Sequence, residues 1–294
     1  MNAKLADRIA TIVFYLIAFI IVLVLASLLG YVLYHGLPKL SWHFITSPPQ
    51  IFKPGGGVGP QLFNSFYLLV LTMIITIPLS LGAGIYMAEY AKKNAFTDFI
   101  RTMIEVLSSL PSIVVGLFGF LFFVIYMGWG FSILSGSLAL TVFNLPLMVR
   151  VVEESINNIP RQQREAGLAL GVSRWETMTT IILPAALPGI ITGVILASGR
   201  VFGEAAALIY TAGMSTPNLD FSNWNPLSPT SPLNPMRPAE TLAVHIWKIN
   251  GEGIIPDIEA VSDGAAALLL LAILIFNFGA RLIGGLVYKK MTSS

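Results

Sequence analysis

Charged residues fall in clusters separated by long apolar runs. No Asp, Glu, Lys or Arg lies between Arg8 and Lys39, between Lys53 and Glu89, or between Glu105 and Arg150. Two further runs separate Glu176 from Arg200 and Asp263 from Arg281. A helix needs about 20 apolar residues to cross ~30 Å of hydrocarbon. The run from Glu105 to Arg150 is long enough for two crossings, with a turn from Gly128-Trp129-Gly130 to Gly136. The pattern predicts an all-α, polytopic membrane protein. Its six transmembrane helices are expected near 9–35, 62–88, 107–127, 133–152, 181–212 and 264–288. Residues 1–61 read as an N-terminal span and outer loop. Residues 62–294 read as a core with an inner loop at about 153–180 and an outer loop at about 213–263.

Composition agrees with this division. The chain has 294 residues, 55% hydrophobic and 11% charged, with a net charge of +2. Charge so sparse excludes a nucleic-acid interface, which needs a dense basic footprint. It also excludes disorder, which needs low hydrophobicity. The absence of cysteine excludes disulfides, iron–sulfur clusters and thiolate zinc sites.

The basic residues set the topology. Lys4, Arg8, Lys92, Lys93, Arg101, Arg150, Arg161, Arg164, Arg174, Lys289 and Lys290 lie on the side of the N-terminus. The opposite side holds Lys39, Lys53, Arg237 and Lys248. The Lys/Arg-rich side of a membrane protein faces the cytoplasm, so both termini are expected inside. The first apolar run is far longer than the 7–15 residues of a signal-peptide core, and reads as a span. Tyr31, Tyr34, Trp42, Tyr126 and Trp129 cluster at the expected outer interface.

The inner loop carries a compact pattern. Pro160 suits a helix start, Gly171 a left-handed stop, and Ser173 with Glu176 a capping box. Two short helices joined by a tight turn follow. Their apolar residues, Leu168, Leu170, Val172 and Trp175 among them, fit either a membrane-surface hairpin or a docking knob for a soluble partner. Glu89, Lys92, Lys93 and Asp98 read as a solvated inner loop that touches that partner. Within the Pro-rich outer loop, residues 239–249 read as a short surface helix.

Arg200 and Glu204 stand out because they lie deep in an expected span. A charge at mid-depth costs about 3 kcal/mol on insertion scales, and such residues face a bundle interior or a wet cavity. On one continuous helix they are about 40° apart, on the face that carries Gly193, Ala197, Gly199, Gly203 and Ala207. Small residues allow close helix contact in lipid, so this face is expected to meet other helices, including a second subunit, around a polar path. The bland reading is a self-neutralising i,i+4 pair. The functional reading has Arg200 meeting a translocating oxyanion, for which guanidinium has matched geometry. Glu204 then holds Arg200 in place. His35, His43 and His245 are scattered over outer segments, and no metal role is expected. Asn144 and Asn277 read as interhelical hydrogen-bonders.

Glu165-Ala166-Gly167, three residues, Gly171, nine residues, then Ile181-Ile182-Leu183-Pro184 resemble the EAA signature of ABC-importer permeases. Gly167 stands where the family usually has Ala. Gly199-Arg200-x-x-Gly203-Glu204-Ala205-Ala206 resembles the PstA-type permeases of phosphate uptake systems. So do Pro111-Ser112-Ile113-Val114-Val115-Gly116, and Leu145-Pro146 followed by Arg150 and Glu153-Glu154. The resemblance implies the MetI-like permease fold in a bacterial plasma membrane. It implies that Glu165, Ala166, Gly167 and Gly171 form the coupling element for ATPase subunits, and that Arg200 and Glu204 line the substrate pathway. The implied partners are a homologous second permease, two ATPase subunits, an extracellular phosphate-binding protein and inorganic phosphate. No cofactor and no ATPase site of the chain's own are expected, since no Walker motif is present. Sulfate or molybdate as cargo, and an ion-coupled secondary transporter, remain alternatives. An intramembrane enzyme lacks its constellation, because Glu204 is the single acid deep in a span.

Overall fold

The computed structural model describes residues 3–50, 52–253 and 255–292. Helix α1 (Ala3–Gly36) leads into a 3-10 turn and the short α2 (Trp42–Thr46). Helix α3 (Gly59–Ile85) ends in a π-helical turn over Tyr86–Tyr90. Then come α4 (Ala95–Ser108), α5 (Ser112–Gly119) with a π-helical extension to Tyr126, and α6 (Ile133–Asn157). Helices α7 (Arg161–Ala169) and α8 (Arg174–Thr177) form a hairpin, and α8 passes through a π turn into α9 (Leu183–Gly203). Helices α10 (Ala206–Thr211), α11 (Leu242–Glu252) and α12 (Ile258–Thr292) complete the chain.

Among the described residues, five helical stretches are long and apolar enough to cross a membrane. They begin at Ala3, Gly59, Ile133, Arg174 and Ile258. The third expected span, 107–127, is not one helix. Helices α4 and α5 meet at 99° across Ser109–Pro111, and a sixth span exists only if this bent pair counts as one. The reason is local. Pro111 adopts ψ 138° and caps α5, since proline disfavours α geometry in the residue before it and cannot continue the ladder of α4. Pro146, by contrast, stays buried inside an unbroken α6.

The fifth expected span, 181–212, is also interrupted. Helix α9 stops at Gly203, Glu204 is extended with ψ 126°, and α10 restarts at Ala206. The core gathers around α6, which packs on α3 and α9, while α12 packs on α9 and α1 on α12. Leu68 and Leu69 of α3, Leu140 and Met148 of α6, Val201 of α9 and Leu208 of α10 share one buried cluster. Lipid tails are as apolar as leucine, so these contacts rest on close fit more than on expulsion of water. The fit is tight at glycine: a Cβ on Gly193 would overlap Val151 Cγ1 of α6. A Cβ on Gly116 would sit 2.6 Å from the Ala207 Cα. The small-residue strip of α9 is therefore used at least partly within this chain, against α6.

Helix α1 is exposed along nearly its whole length and touches α12 near its end, where Gly36 meets Asp263 and Ala267. The start of α1 and the end of α12 thus lie on one side of the bundle, here called the terminal side. The loops around α2 and α11 form the far side.

Gly193→Ala is expected to lower stability by about 1–3 kcal/mol through overpacking against Val151. Gly279→Ala, where a Cβ meets nothing within 4 Å, is expected to leave it unchanged or improved. Thermal unfolding of the two variants in detergent checks the contrast.

Candidate functional site

The break between α9 and α10 rearranges the two charges. Glu204 does not continue the helical face that carries Arg200. Its Oε1 instead accepts the Ala207 N–H at 3.2 Å, three residues on, in the manner of a helix N-cap. No direct ion pair joins the two among the described residues, and Glu204 acts on Arg200 through space and not through a hydrogen bond. Arg200 is half-buried, and its guanidinium carbon lies 3.6 Å from the centroid of the Phe143 ring of α6. A cation over an aromatic face is stabilised by the ring quadrupole while its N–H donors stay free at the edges. The arrangement presents a planar cation with no hydrogen-bonded ion pair, although the Glu204 carboxylate is near enough to act on its charge.

Helix α10 is fixed from all sides. The Thr211 and Ala212 carbonyls accept the N–H groups of Ser132 and Ala239, at 3.1 and 3.0 Å. Gly116 of α5 abuts Ala207. Around this region the polar residues of α3 and α6 face one another, with Thr76 Oγ1 donating to Thr141 Oγ1 at 3.3 Å. Asn144 bonds its own helix, Nδ2 to the Leu140 carbonyl at 2.9 Å, and does not make the interhelical bond expected of it. Asn277 of α12 approaches Gly199, 3.9 Å from a Cβ placed there.

On the terminal side the hairpin α7–α8 takes the form the sequence implies. Pro160 precedes α7, Gly171 turns the chain at φ +77°, and Ser173 Oγ accepts the Glu176 N–H at 3.2 Å. Leu170 and Trp175 are largely exposed, and Leu168 about half so. Glu165 and Ala166 are exposed, whereas Gly167 is buried. A Cβ on Gly167 would lie 2.8 Å from Thr177 Cγ2 and 3.1 Å from Ile181 Cδ1. The Gly in place of Ala lets α7 seat closely on α8.

Glu89 is not the solvated loop residue expected. It pairs with Arg164 of the hairpin, Nε to Oε2 at 3.4 Å, both side chains largely buried. Arg164 Nη2 also donates to the Ile156 carbonyl of α6, at 3.3 Å. One arginine thus ties the hairpin to the ends of α3 and α6. The signal available in sequence was a lone acid at the end of an apolar run, which says nothing about its distant partner.

The far side holds a buried polar cluster that the sequence did not reveal. The stretch read as a surface helix, α11, is buried through Leu242, Ala243, Val244, His245 and Ile249. Glu240, 3% exposed, accepts from Gln61 Nε2 at 3.1 Å and from His245 Nδ1 at 3.1 Å, with Lys248 Nζ at 3.6 Å. Burial raises the Glu240 pKa, but His245, Lys248 and Gln61 together bring it below its usual 4.5. Arg237, also 3% exposed, donates to Asn64 Oδ1 at 2.8 Å and to the Pro232 carbonyl at 2.9 Å. Burial lowers its pKa to about 10, so it stays charged at neutral pH. Its carbonyl and that of Pro235 accept the first N–H groups of α6, from Ile133 and Leu134. A cavity of about 670 Å³ opens beside this cluster, lined by Pro48, Pro60, Gln61, Phe221, Glu240 and Lys248. Arg200 does not line it.

A carboxylate whose folded pKa is depressed stabilises the fold above its unfolded pKa and loses that contribution as pH falls through the folded value. Glu240→Gln is therefore expected to cost about 2 kcal/mol near neutral pH. The deficit relative to the parent should shrink as the pH drops below about 4.5. Thermal unfolding across that range measures it.

The family model of the binding-protein-dependent transport system inner membrane component matches residues 80–293. A probable ABC transporter permease protein, YqgI of Bacillus subtilis (strain 168), is 58% identical over 294 residues, the whole of both chains. The phosphate transport system permease protein PstA 2 of Mycobacterium tuberculosis (strain CDC 1551 / Oshkosh) is 32% identical, covering 93% of this chain and 86% of its own. PstA of Xylella fastidiosa (strain 9a5c) is 37% identical over 60% of this chain and 62% of its own. The structure of a bacterial alginate ABC transporter is similar in fold, with TM-score 0.62 and 14% identity over 97% of this chain and 95% of the other. The inward-facing MetNI methionine ABC transporter gives TM-score 0.56 and 18% identity, over 79% and 94%. With all-helical architecture, capped hairpin and sequence in accord, the chain is a multi-pass membrane protein that belongs to the inner-membrane permease family of binding-protein-dependent ABC importers.

Proposed function

We propose that this permease carries inorganic phosphate, as one of two related subunits that together enclose the pathway. The carrying observation is Arg200, a guanidinium held over Phe143 inside the bundle, near Glu204 but in no hydrogen-bonded ion pair with it. A planar cation with free donors suits a tetrahedral oxyanion, and a site inside a transporter must release what it binds. Relatives named as phosphate transport permeases, at 32–37% identity, favour phosphate over sulfate or molybdate.

In this reading the terminal side is cytoplasmic, with both termini inside, as the basic residues favour. The hairpin of Glu165, Ala166, Gly167 and Gly171 seats on one of two ATPase subunits, its exposed Leu170 and Trp175 entering a groove there. A phosphate-binding protein delivers cargo at the far side. ATP binding draws the ATPase subunits together, their hairpins follow, and the pathway opens outward. Hydrolysis resets it inward. Each ligand drives the cycle only by its different affinity for the two states. Arg164, bound to Glu89 and to the Ile156 carbonyl, carries hairpin motion to α3 and α6.

Arg200→Ala in the assembled, reconstituted transporter is expected to abolish uptake of labelled phosphate while ATPase subunits still bind. Unlabelled phosphate should compete in the parent complex, and sulfate should not. Normal uptake by the Ala variant, or equal competition by sulfate, would count against phosphate as the cargo of this site.

Glu89→Gln is expected to lower uptake while leaving basal ATP hydrolysis, so that more ATP is spent per phosphate moved. The exchange Glu89→Arg with Arg164→Glu should restore part of the coupling. Measuring both rates in one vesicle preparation checks this.

A further inference from the structure

Helix α4 has three distinct faces. Thr97, Ile100, Arg101, Ile104 and Ser108 lean on the bundle and are buried or half-buried. Asp98, Thr102 and Glu105 form an exposed polar face. Phe96, Phe99, Met103, Val106 and Leu107 form an exposed face with no polar residue in it. At about 100° per residue the three faces centre roughly 110–130° apart. A helix lying along a membrane boundary at the edge of a bundle has three such neighbours: protein, water and lipid.

Depth and direction agree with that placement. Arg101 donates to Glu153 Oε1 through Nε at 3.1 Å and Nη2 at 2.7 Å, which fixes α4 to one level of α6. At that level Arg150, Glu153 and Glu154 end the apolar run of α6. The segment that starts with α5 runs beside α6, since a Cβ on Gly119 would lie 2.9 Å from the Ala139 Cβ. The 99° bend then sets α4 crosswise to the segment that runs beside α6. Asn94 Oδ1 caps the helix by accepting the Thr97 N–H at 2.9 Å, so its exposed start is satisfied.

We infer that α4 is an interfacial helix, its Phe96–Phe99–Met103–Val106 face seated in the acyl chains of the leaflet on the terminal side. It is not half of a transmembrane span. Through Arg101–Glu153 the leaflet then holds the end of α6, the helix that carries Phe143 beneath Arg200. The occupant of the apolar face is lipid because the helix lies at the level where α6 leaves the hydrocarbon. A water-soluble subunit approaching from that side meets Asp98, Thr102 and Glu105 instead.

The chain has no cysteine, so a single label within it needs no background substitution once cysteines of the partner subunits are replaced. Nitroxide labels on Phe99→Cys, Met103→Cys and Thr102→Cys would be compared in the full transporter, in phosphatidylethanolamine–phosphatidylglycerol vesicles. At positions 99 and 103, collision with oxygen is expected to exceed collision with a water-soluble nickel chelate several-fold, and at 102 the order should reverse. Greater nickel access at 99 and 103 would show the face in water. Shielding from both reagents would show it covered by another subunit. Either result overturns the inference. Val106→Cys carries the same test should the Phe99 variant fail to assemble. The outcome is independent of the cargo, since no phosphate is needed for the readout.

Discussion

A helix interrupted within a membrane must find new partners for the backbone groups it frees, and the break between α9 and α10 depends on one carboxylate to do so. Water is absent from the hydrocarbon, and each unmet N–H there costs several kcal/mol. Glu204 answers one of them by accepting the Ala207 N–H. Other contacts hold the same short helix. Beyond the break, the Thr211 and Ala212 carbonyls at the end of α10 accept the N–H groups of Ser132 and Ala239. That joins the start of α6 and the far loop to the same short helix. Gly116 lets α5 approach the other side of α10.

The same contact determines what Arg200 is free to do. On an unbroken helix the two side chains would be i,i+4 neighbours and could neutralise each other. With the carboxylate engaged at α10, Arg200 rests on Phe143 and keeps its donors. The charge is stabilised by a ring that cannot compete with an oxyanion for hydrogen bonds. A resident salt bridge would have to be broken on each arrival, which is a larger obstacle than displacing a guanidinium from a ring.

What the sequence made legible was set by composition along one dimension. Spans appeared as intervals without charge because lipid excludes charge whatever the tertiary fold. The hairpin at 161–177 was readable because its caps are local, from Pro160 to Gly171 and from Ser173 to Glu176. The breaks were less so. A proline such as Pro111 permits a kink, but the 99° bend there accompanies a contact of α4 with Glu153 on another helix, 52 residues from Arg101 in sequence. The break at Glu204 had no proline to announce it. Least legible was the far-side cluster, where Gln61 meets Glu240 across 179 residues. A Pro-rich segment with Arg237, followed by Glu240 and Lys248, reads as an outer loop with a surface helix, because pairing that permits burial is a property of contacts and not of composition. Gly167 lies between these cases: its departure from Ala was visible, and its reason, Thr177 packed beneath it, was not.

The division of labour between Glu204 and Arg200 is tested most directly by phosphate uptake in transporters carrying Glu204→Asn, Glu204→Asp and Glu204→Ala. Asn and Asp both accept a hydrogen bond from the N–H three residues on, and Ala cannot. If the carboxylate serves the helix break, Asn keeps uptake close to that of the parent and Ala loses it. If Asn is as inactive as Ala and only Asp retains uptake, the negative charge itself is required, and the account of Arg200 as a cation left free by its neighbour is contradicted.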